Sequence, residues 1–277
     1  MGNYWSDSQL SENTNSPGDI LEFTTRKYGW RPDLPDHRDY VMTFAEEDID
    51  NDIDCVDLRD RCPPVYDQKS LGSCTSQSIG AAYQYDEMKQ GNTDEFMPSR
   101  LFIYYNERKI EGTITIDNGA SIRDGIKTIN TDGVCHESMW PYDINKFADD
   151  PTPECYADAK THKSLKYHRV KQRKAQLKVA LQSGYPIVFG ITVFESMESS
   201  EVEKTGVVPM PGPDEKPLGG HCILLVGYDD DKKQWIFRNS WGESWGDNGY
   251  GYLPYKYLSS KSHMASDFWV VETVSKE

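Results

Sequence analysis

Apolar positions change their rhythm along the chain. Between Thr75 and Lys89, small residues (Ser76, Ser78, Gly80, Ala81, Ala82) crowd a stretch that stops before Gly91, which predicts a helix packed closely on all sides. Pro98-Ser99 precedes a second helical stretch, Arg100 to Lys109, with Ser99 placed to cap it. A third runs from about Ser121 to Asn130 and ends before Gly133. Further on the pattern becomes β: Tyr185 to Phe194, Cys222 to Tyr228, Trp235 to Arg238, Tyr250 to Tyr255 and Phe268 to Val274 read as strands. Asp229-Asp230-Asp231-Lys232-Lys233 makes a polar turn between two of them. A helical front and a β-rich back predict an α+β chain with two lobes, and the cleft between such lobes is the place to expect a site.

Composition narrows the function. A chain of 277 residues that is 37% hydrophobic and 12% aromatic can bury a sizeable core. A net charge of −15 argues against a general polyanion binder, so nucleic acid is not an expected partner. No apolar run reaches the ~18 residues of a membrane span, and the first stretch holds no signal-peptide core, so neither membrane insertion nor secretion is expected. Residues 1–54 carry 13 acids and 4 bases, making an acidic head on a less acidic body. Residues 1 to about 27 read as mobile. Trp30 to Pro35 (W-R-P-D-L-P) is extended by its prolines. Glu46 to Asp54 has the acid density of a calcium loop. Counted from Asp48, however, its sixth and twelfth positions are Ile53 and Arg59 instead of Gly and Glu, so it reads as a solvated acidic linker. Met1-Gly2-Asn3-Tyr4-Trp5-Ser6 fits a myristoylation pattern, but no basic cluster follows to reinforce one acyl chain. Residues 159–178 hold eight Lys and Arg and no acid, a solvated strand–helix face or a partner for the acidic head. In the second case salt would loosen the head from the body.

Chemistry enters at three segments. In Asp67-Gln68-Lys69-Ser70-Leu71-Gly72-Ser73-Cys74 a cysteine opens a helix, where unpaired N–H groups favour a thiolate. Gly72 allows the tight turn into that helix, and the Gln68 amide could join the Cys74 N–H in holding an oxyanion. Gly219-Gly220-His221-Cys222 puts a histidine at the head of a buried strand, with glycines leaving room for a substrate. In Arg238-Asn239-Ser240-Trp241-Gly242, Asn239 could orient the imidazole and the Trp241 indole could shield that bond from water.

In order and spacing these segments resemble the papain family of cysteine peptidases, the cathepsin-like enzymes. His221 lies 147 residues after Cys74 and Asn239 lies 165 after it, slightly beyond the roughly 130–150 usual for the family. The Pro- and Gly-containing segment Lys204 to Pro217 could be a longer loop that accounts for part of the excess. The resemblance spans about residues 53 to 274. It implies a papain-like two-lobed fold, with a helical left lobe at about 55–165 and a β-barrel-like right lobe at about 166–277. It also implies a peptidase domain over 53–277, with 1–52 as an acidic N-terminal extension resembling a pro-segment. The nearest pattern is a bacterial and viral branch that carries a short upstream Gly-Trp-x-Pro-Asp-Leu-Pro segment, here Gly29 to Pro35. In that branch the extension can lie over the cleft, which would make this chain a zymogen, with Trp30, Pro32 and Leu34 as autoinhibitory residues.

The resemblance assigns Cys74, His221, Asn239 and Gln68 to catalysis through a thioacyl-enzyme. It assigns Gly72, Ser73, Asn118, Gly119, Ala120, Gly220, Trp241, Ser266 and Asp267 to substrate binding. Ser266 or Asp267 would floor the pocket for the second residue before the scissile bond, and an inward Asp267 would favour basic side chains. Two family cysteines are missing together, since Leu71 and Asp117 stand in their places, and Thr75 stands where the family has Trp. Cys222 is expected to be a core thiol. Cys135 with Cys155, or Cys55 with Cys62, could form a disulfide, while a reducing compartment would leave them all as thiols. No metal site and no cofactor are expected. Polypeptide substrates and protein inhibitors are the expected partners of a monomer, in a cytoplasmic or virion-associated setting. A non-catalytic binding protein on the same fold is the rival reading, although such proteins tend to lose the cysteine or histidine. Transfer of the acyl group to an amine instead of water would use the same residues.

Overall fold

Each main helix starts within one residue of where its sequence suggests. The structure, a computed structural model, describes residues 26–45, 48–91 and 96–273. Helix α1 is Cys74–Lys89, and it is buried on nearly every side because its first turns carry mostly small side chains. Helix α2 is Arg100–Glu111; Ser99 Oγ accepts the Phe102 N–H at its start, and Gly112 closes it at φ +69°. Helix α3 is Ile122–Thr131, capped by Ser121. A short helix α4, Pro153–Ala159, begins on its own proline behind the cap Thr152. These helices make one lobe.

The other lobe is an eight-stranded sheet. Its strands are β2 (Val41–Met42), β3 (Cys55–Asp57), β5 (Ser164–Val170), β6 (Ile187–Phe194), β7 (Pro217–Asp229), β8 (Gln234–Arg238), β9 (Tyr250–Pro254) and β10 (Ala265–Thr273). The order is β2-β5-β10-β6-β7-β8-β9, with β3 also on β7. Pairing is antiparallel except between β2 and β5. The apolar runs of β6 and β7 face each other residue by residue, Val188 with Leu224 and Phe189 with Ile223, and all four are fully buried. Helices α5 (Lys174–Gln182) and α6 (Ser200–Thr205) flank this sheet. Helix α1 packs on α2 and α3 on one side and on β7 and β10 on the other, so the central helix touches both lobes.

A two-stranded parallel pair stands apart: β1 (Trp30–Arg31) beside β4 (Ala120–Ser121). It joins the N-terminal extension to the helical lobe. The extension then continues to the outer edge of the sheet, where the Arg169 N–H donates to the Tyr40 carbonyl and the Gln176 side chain bonds both the N–H and the carbonyl of Phe44.

Several expectations need adjusting. Arg26 and Lys27 hold definite positions, although the polar head was expected to be mobile to about residue 27. The rest of that stretch and the Gly2 acylation pattern lie outside the described residues. The strand Cys55–Asp57 belongs to the sheet, although it precedes the helices, because it pairs with the far end of β7. Helices α4 and α6 went unpredicted, while strand β5 and helix α5 answer to the strand–helix face expected over 159–178, their bounds masked by its many Lys, His and Arg residues. The cysteines Cys55, Cys62, Cys135 and Cys155 are free thiols, so neither disulfide is formed. Cys135 and Cys155 are nonetheless neighbours: burial and then the adjoining Cys155 sulfur push the Cys135 thiol well up.

Candidate active site

The cleft is built where α1 meets β7. Cys74 is the first residue of α1, and His221 stands on β7 in register with Ile191. Asn239 follows β8, its N–H bonded to the Gly249 carbonyl. Cys74 and His221 have no exposed surface, and Asn239 and Gln68 have almost none.

The hydrogen bonds fix the proton on the imidazole. Asn239 Oδ1 accepts the Ser240 N–H at 2.8 Å, so that atom is the carboxamide oxygen. His221 Nε2 lies 2.8 Å from the same oxygen and must donate to it. Nδ1 is therefore the unprotonated nitrogen, ready to receive a proton, and it has no hydrogen-bond partner among the described residues. The Cys74 thiol and the imidazole are thus not hydrogen-bonded here. The indole of Trp241 stacks on the imidazole at 4.7 Å and 19°, and Trp245 meets Trp241 edge-on.

Burial sets the charge state. It pushes the Cys74 thiol up to about 12, against the N–H groups of Cys222 and Gly29. It pushes His221 down to about 4, opposed by the Asn239 bond and aided by the nearby Arg26 charge. With the cleft covered, the pair is a neutral thiol and a neutral imidazole.

Gln68 is placed as a donor. Its Nε2 donates to the carbonyls of Leu71 at 3.0 Å and Lys27 at 3.1 Å, which fixes the amide, and its Oε1 accepts from Ser240 Oγ at 2.7 Å. A carbonyl of the N-terminal extension thus engages the amide donor expected to help hold an oxyanion. The missing family cysteines are replaced by a polar tie: Asp117 Oδ1 accepts the Gly72 N–H at 3.0 Å and the Tyr104 hydroxyl at 2.6 Å.

The cover is the extension itself. Arg26 lies over the Trp241 ring at 4.5 Å, and its guanidinium meets Glu198 and Glu203 at 2.8 Å each. Lys27 meets Asp117 at 2.6 Å. The Tyr28 ring stands edge-on to His221 at 6.3 Å, with its hydroxyl on Glu198. Gly29 lies so close to Gly72 that a Cβ there would sit 1.7 Å from the Gly72 oxygen. Its carbonyl accepts the Ala120 N–H at 2.8 Å. Trp30 packs on Gly190 and Gly220, where any side chain would strike its ring, and it is 7% exposed. Gly190 pairs with Ser266, so Trp30 fills the pocket expected for the second residue before the scissile bond. Beyond it, Asp33 and Asp39 pair with Arg169, Asp39 also pairs with Arg123, and Asp33 Oδ2 accepts the Trp269 N–H.

Of the expected substrate-binding residues, Gly72, Gly119, Ala120, Gly220 and Trp241 touch this segment, and Ser266 lies beside it. Ser73 is buried under Tyr142, and Asn118 is exposed beside the segment. Asp267 stands at a bulge of β10 with φ +58°; it accepts the Asp33 N–H and pairs with Arg169, so its charge is already met. Of the three expected autoinhibitory residues only Trp30 enters the cleft, because Leu34 is 80% exposed and Pro32 faces solvent. The basic stretch 159–178 does meet the head, through the β2–β5 pairing and Gln176, but among the described residues only its Arg169 forms ion pairs there. Arg26, Glu198 and Glu203 were missed, whereas Tyr28 and Gly29 open the stretch 28–45 that was expected to enter the cleft. Only the Gly29-Trp30 pair stood out in the sequence, as part of the upstream motif. Among the described residues no group of three or more His, Cys, Asp or Glu is arranged to hold a metal ion, and no helix is long and apolar enough to cross a membrane.

A thiol at a helix start, an imidazole oriented by a carboxamide, and an amide donor, set in a cleft between a helical lobe and a β-rich lobe, make a cysteine peptidase. Residues 51–268 match the model of the papain family of cysteine proteases, and the chain belongs to that family. It is 45% identical over 275 residues to an uncharacterized peptidase C1-like protein of Acanthamoeba polyphaga mimivirus, covering 91% of this chain and 88% of that protein. It is 28% identical to cathepsin K of Mus musculus, over 72% of this chain and 59% of the relative. Among solved structures it resembles xylellain, a cysteine protease from Xylella fastidiosa, at 41% identity and a TM-score of 0.83, covering 90% of this chain and 98% of that one.

Proposed function

We propose that this chain is a cysteine endopeptidase held latent by residues 26–39 of its own N-terminal extension. The observation that carries the reading is the direction of the segment. Trp30 occupies the acyl-side pocket, and Arg26 lies at the Trp241 end, beside the imidazole that would protonate the leaving amine. Running from Arg26 to Trp30, the chain crosses the cleft from the leaving-group side to the acyl side. A substrate has to run the other way. The parallel pairing of β1 with β4 is the same reversal seen in the backbone. Past Trp30 the segment passes out of the cleft to the exposed Leu34, so the acyl side has room for a longer chain.

Once the segment leaves, water re-enters and the desolvation that keeps the pair neutral is relieved. The Cys74 proton passes to His221 Nδ1, giving thiolate and imidazolium. The thiolate attacks the peptide carbonyl, and the Cys74 N–H and Gln68 Nε2 hold the oxyanion. His221 gives its proton to the leaving amine, then takes one from the water that clears the acyl-enzyme. Asn239 keeps the imidazole in the productive tautomer throughout.

The test is active-site labelling of the full chain and of a chain lacking residues 1–51 with an epoxysuccinyl inhibitor, the adduct being located by mass spectrometry. Labelling of Cys74 only after truncation is the expected result. Equal labelling of both removes the latency and leaves the peptidase. No labelling in either removes both.

A further inference from the structure

We propose that Glu198, Glu203 and the Trp241 face form a subsite for a cationic side chain, arginine above all, on the leaving-group side of the scissile bond. This rests on the reading above, in which substrate replaces the N-terminal segment. The three residues come from different elements: Glu198 ends the short helical turn before α6, Glu203 lies within α6, and Trp241 follows Asn239.

Arg26 shows what the place accepts. One guanidinium nitrogen meets Glu198 Oε2 and another meets Glu203 Oε1, each at 2.8 Å, while the guanidinium carbon lies 4.5 Å from the Trp241 ring centre. Two carboxylates spread to meet two nitrogens of one planar fork, with an aromatic face beneath, match a guanidinium better than an ammonium. Among the described residues neither carboxylate has another ion-pair partner. Departure of Arg26 therefore leaves two uncompensated carboxylates beside the ring that stacks on His221. A substrate cation restores the pair, and a substrate acid meets repulsion from both carboxylates. Chain direction does not change this argument, because a side-chain pocket recognises its occupant whichever way the backbone runs.

The sequence hides this subsite. Glu198 and Glu203 sit in S-M-E-S-S-E-V-E-K, an ordinary polar helix start, and only the fold brings them to Trp241.

The experiment is competition in one tube. Internally quenched peptides share an aromatic residue in the second position before the bond and carry Arg, Gln or Glu at each of the first three positions after it. Ratios of kcat/KM are read by mass spectrometry for the full chain, with Trp30→Ala added to uncover the cleft, and for the same chain carrying Glu198→Gln with Glu203→Gln. Because competing peptides draw on the same open enzyme, the ratio does not depend on how much enzyme is latent. Arg over Glu by roughly tenfold at one position, falling toward unity in the double variant, is expected. A ratio near unity in the parent, or one the double variant leaves unchanged, overturns the subsite while the peptidase stands. Failure of both chains to cut any peptide overturns the peptidase reading and the subsite with it.

Discussion

Removing Trp30 should uncover the enzyme by two to three orders of magnitude. An aromatic side chain buries roughly 150–250 Å², and Trp30 keeps only 7% of its surface exposed. At about 25 cal/mol per Å² that burial contributes ~4–6 kcal/mol to the covered state, and measured truncations of buried Phe and Trp cost ~3–5 kcal/mol. Every ~1.4 kcal/mol is a factor of ten, so the lower figure already shifts the covered–open equilibrium of Trp30→Ala by about 10²-fold or more toward open. The apparent labelling rate of Cys74 scales with the fraction of open enzyme until that fraction nears one. The assay is therefore the second-order rate of inactivation by an epoxysuccinyl inhibitor, full chain against Trp30→Ala, with thermal unfolding as the control that both are folded. Equal rates in two folded chains would refute the gate. A change below about threefold would show that Trp30 contributes packing without closing the cleft.

Other perturbations of the same contacts should rank in a set order. Gly29→Ala removes no apolar surface, yet its methyl would sit 1.7 Å from the Gly72 oxygen, so it should also raise the labelling rate of Cys74 strongly. Arg26→Ala loses two partly exposed ion pairs and one cation–π contact, ~0.5–1 kcal/mol each, so its rise should stay near tens of fold and below that of Trp30→Ala. In a chain already carrying Trp30→Ala, Gln68→Ala should lower kcat on a saturating peptide by about 10²–10³ with little change in KM. Asn239→Ala should cost less than loss of Cys74 or His221 in the same assay. Asp33 supplies a pH dependence: burial, then the neighbouring Asp267, raises its carboxyl to about 6 in the covered state, against the donors from Arg123 and Trp269. The covered state thus binds an extra proton between about pH 4 and 6. Its advantage is complete below the ordinary carboxylate range and is lost as pH rises through about 6. Hydrogen exchange of the peptide holding Ala120, corrected for intrinsic rates, should accordingly speed up across that window and flatten in Asp33→Asn; a slowing with rising pH would reverse the sign.

Much of the site was legible because catalytic chemistry demands fixed residue types next to fixed local structure. A nucleophile at a helix start leaves Gly72-Ser73-Cys74 ahead of small residues, and a histidine facing a substrate leaves Gly219-Gly220 before it. The main helices were legible for a similar local reason, since Ser99 and Ser121 cap them directly. What stayed hidden depends on contacts across long separations. Arg26 meets Glu198 over 172 residues, and Asp33 meets Asp267 over 234. The expected role of Asp267 changed for that reason: nothing near it in the sequence announces Arg169, which meets its charge. Leu34 misled in the opposite sense, because it was taken into the cleft along with the upstream motif and the prolines around it carry it out to solvent.

On the proposed latency, a reversed chain explains why one segment could use the enzyme's own subsites without being cut. Its affinity comes from the contacts a substrate would make: an aromatic in the acyl-side pocket, a carbonyl on Gln68, a backbone bond to Ala120 and a cation between Glu198 and Glu203. Attack requires more than occupancy. The leaving amine must lie on the His221 side of the carbonyl, and along Arg26 to Trp30 each amide nitrogen follows its carbonyl toward the acyl pocket instead. The same occupant dries the cleft and so disarms it chemically, leaving Cys74 a thiol and His221 a neutral base. Cover and deactivation are therefore one event. Between roughly the imidazole and thiol ranges, uncovering moves a proton from sulfur to nitrogen without taking one from solvent. In that range the catalytic pair adds no pH dependence of its own to opening; below it, where Asp33 titrates, uncovered His221 takes up a proton as well, so Asp33→Asn is the comparison that separates the carboxyl from the imidazole.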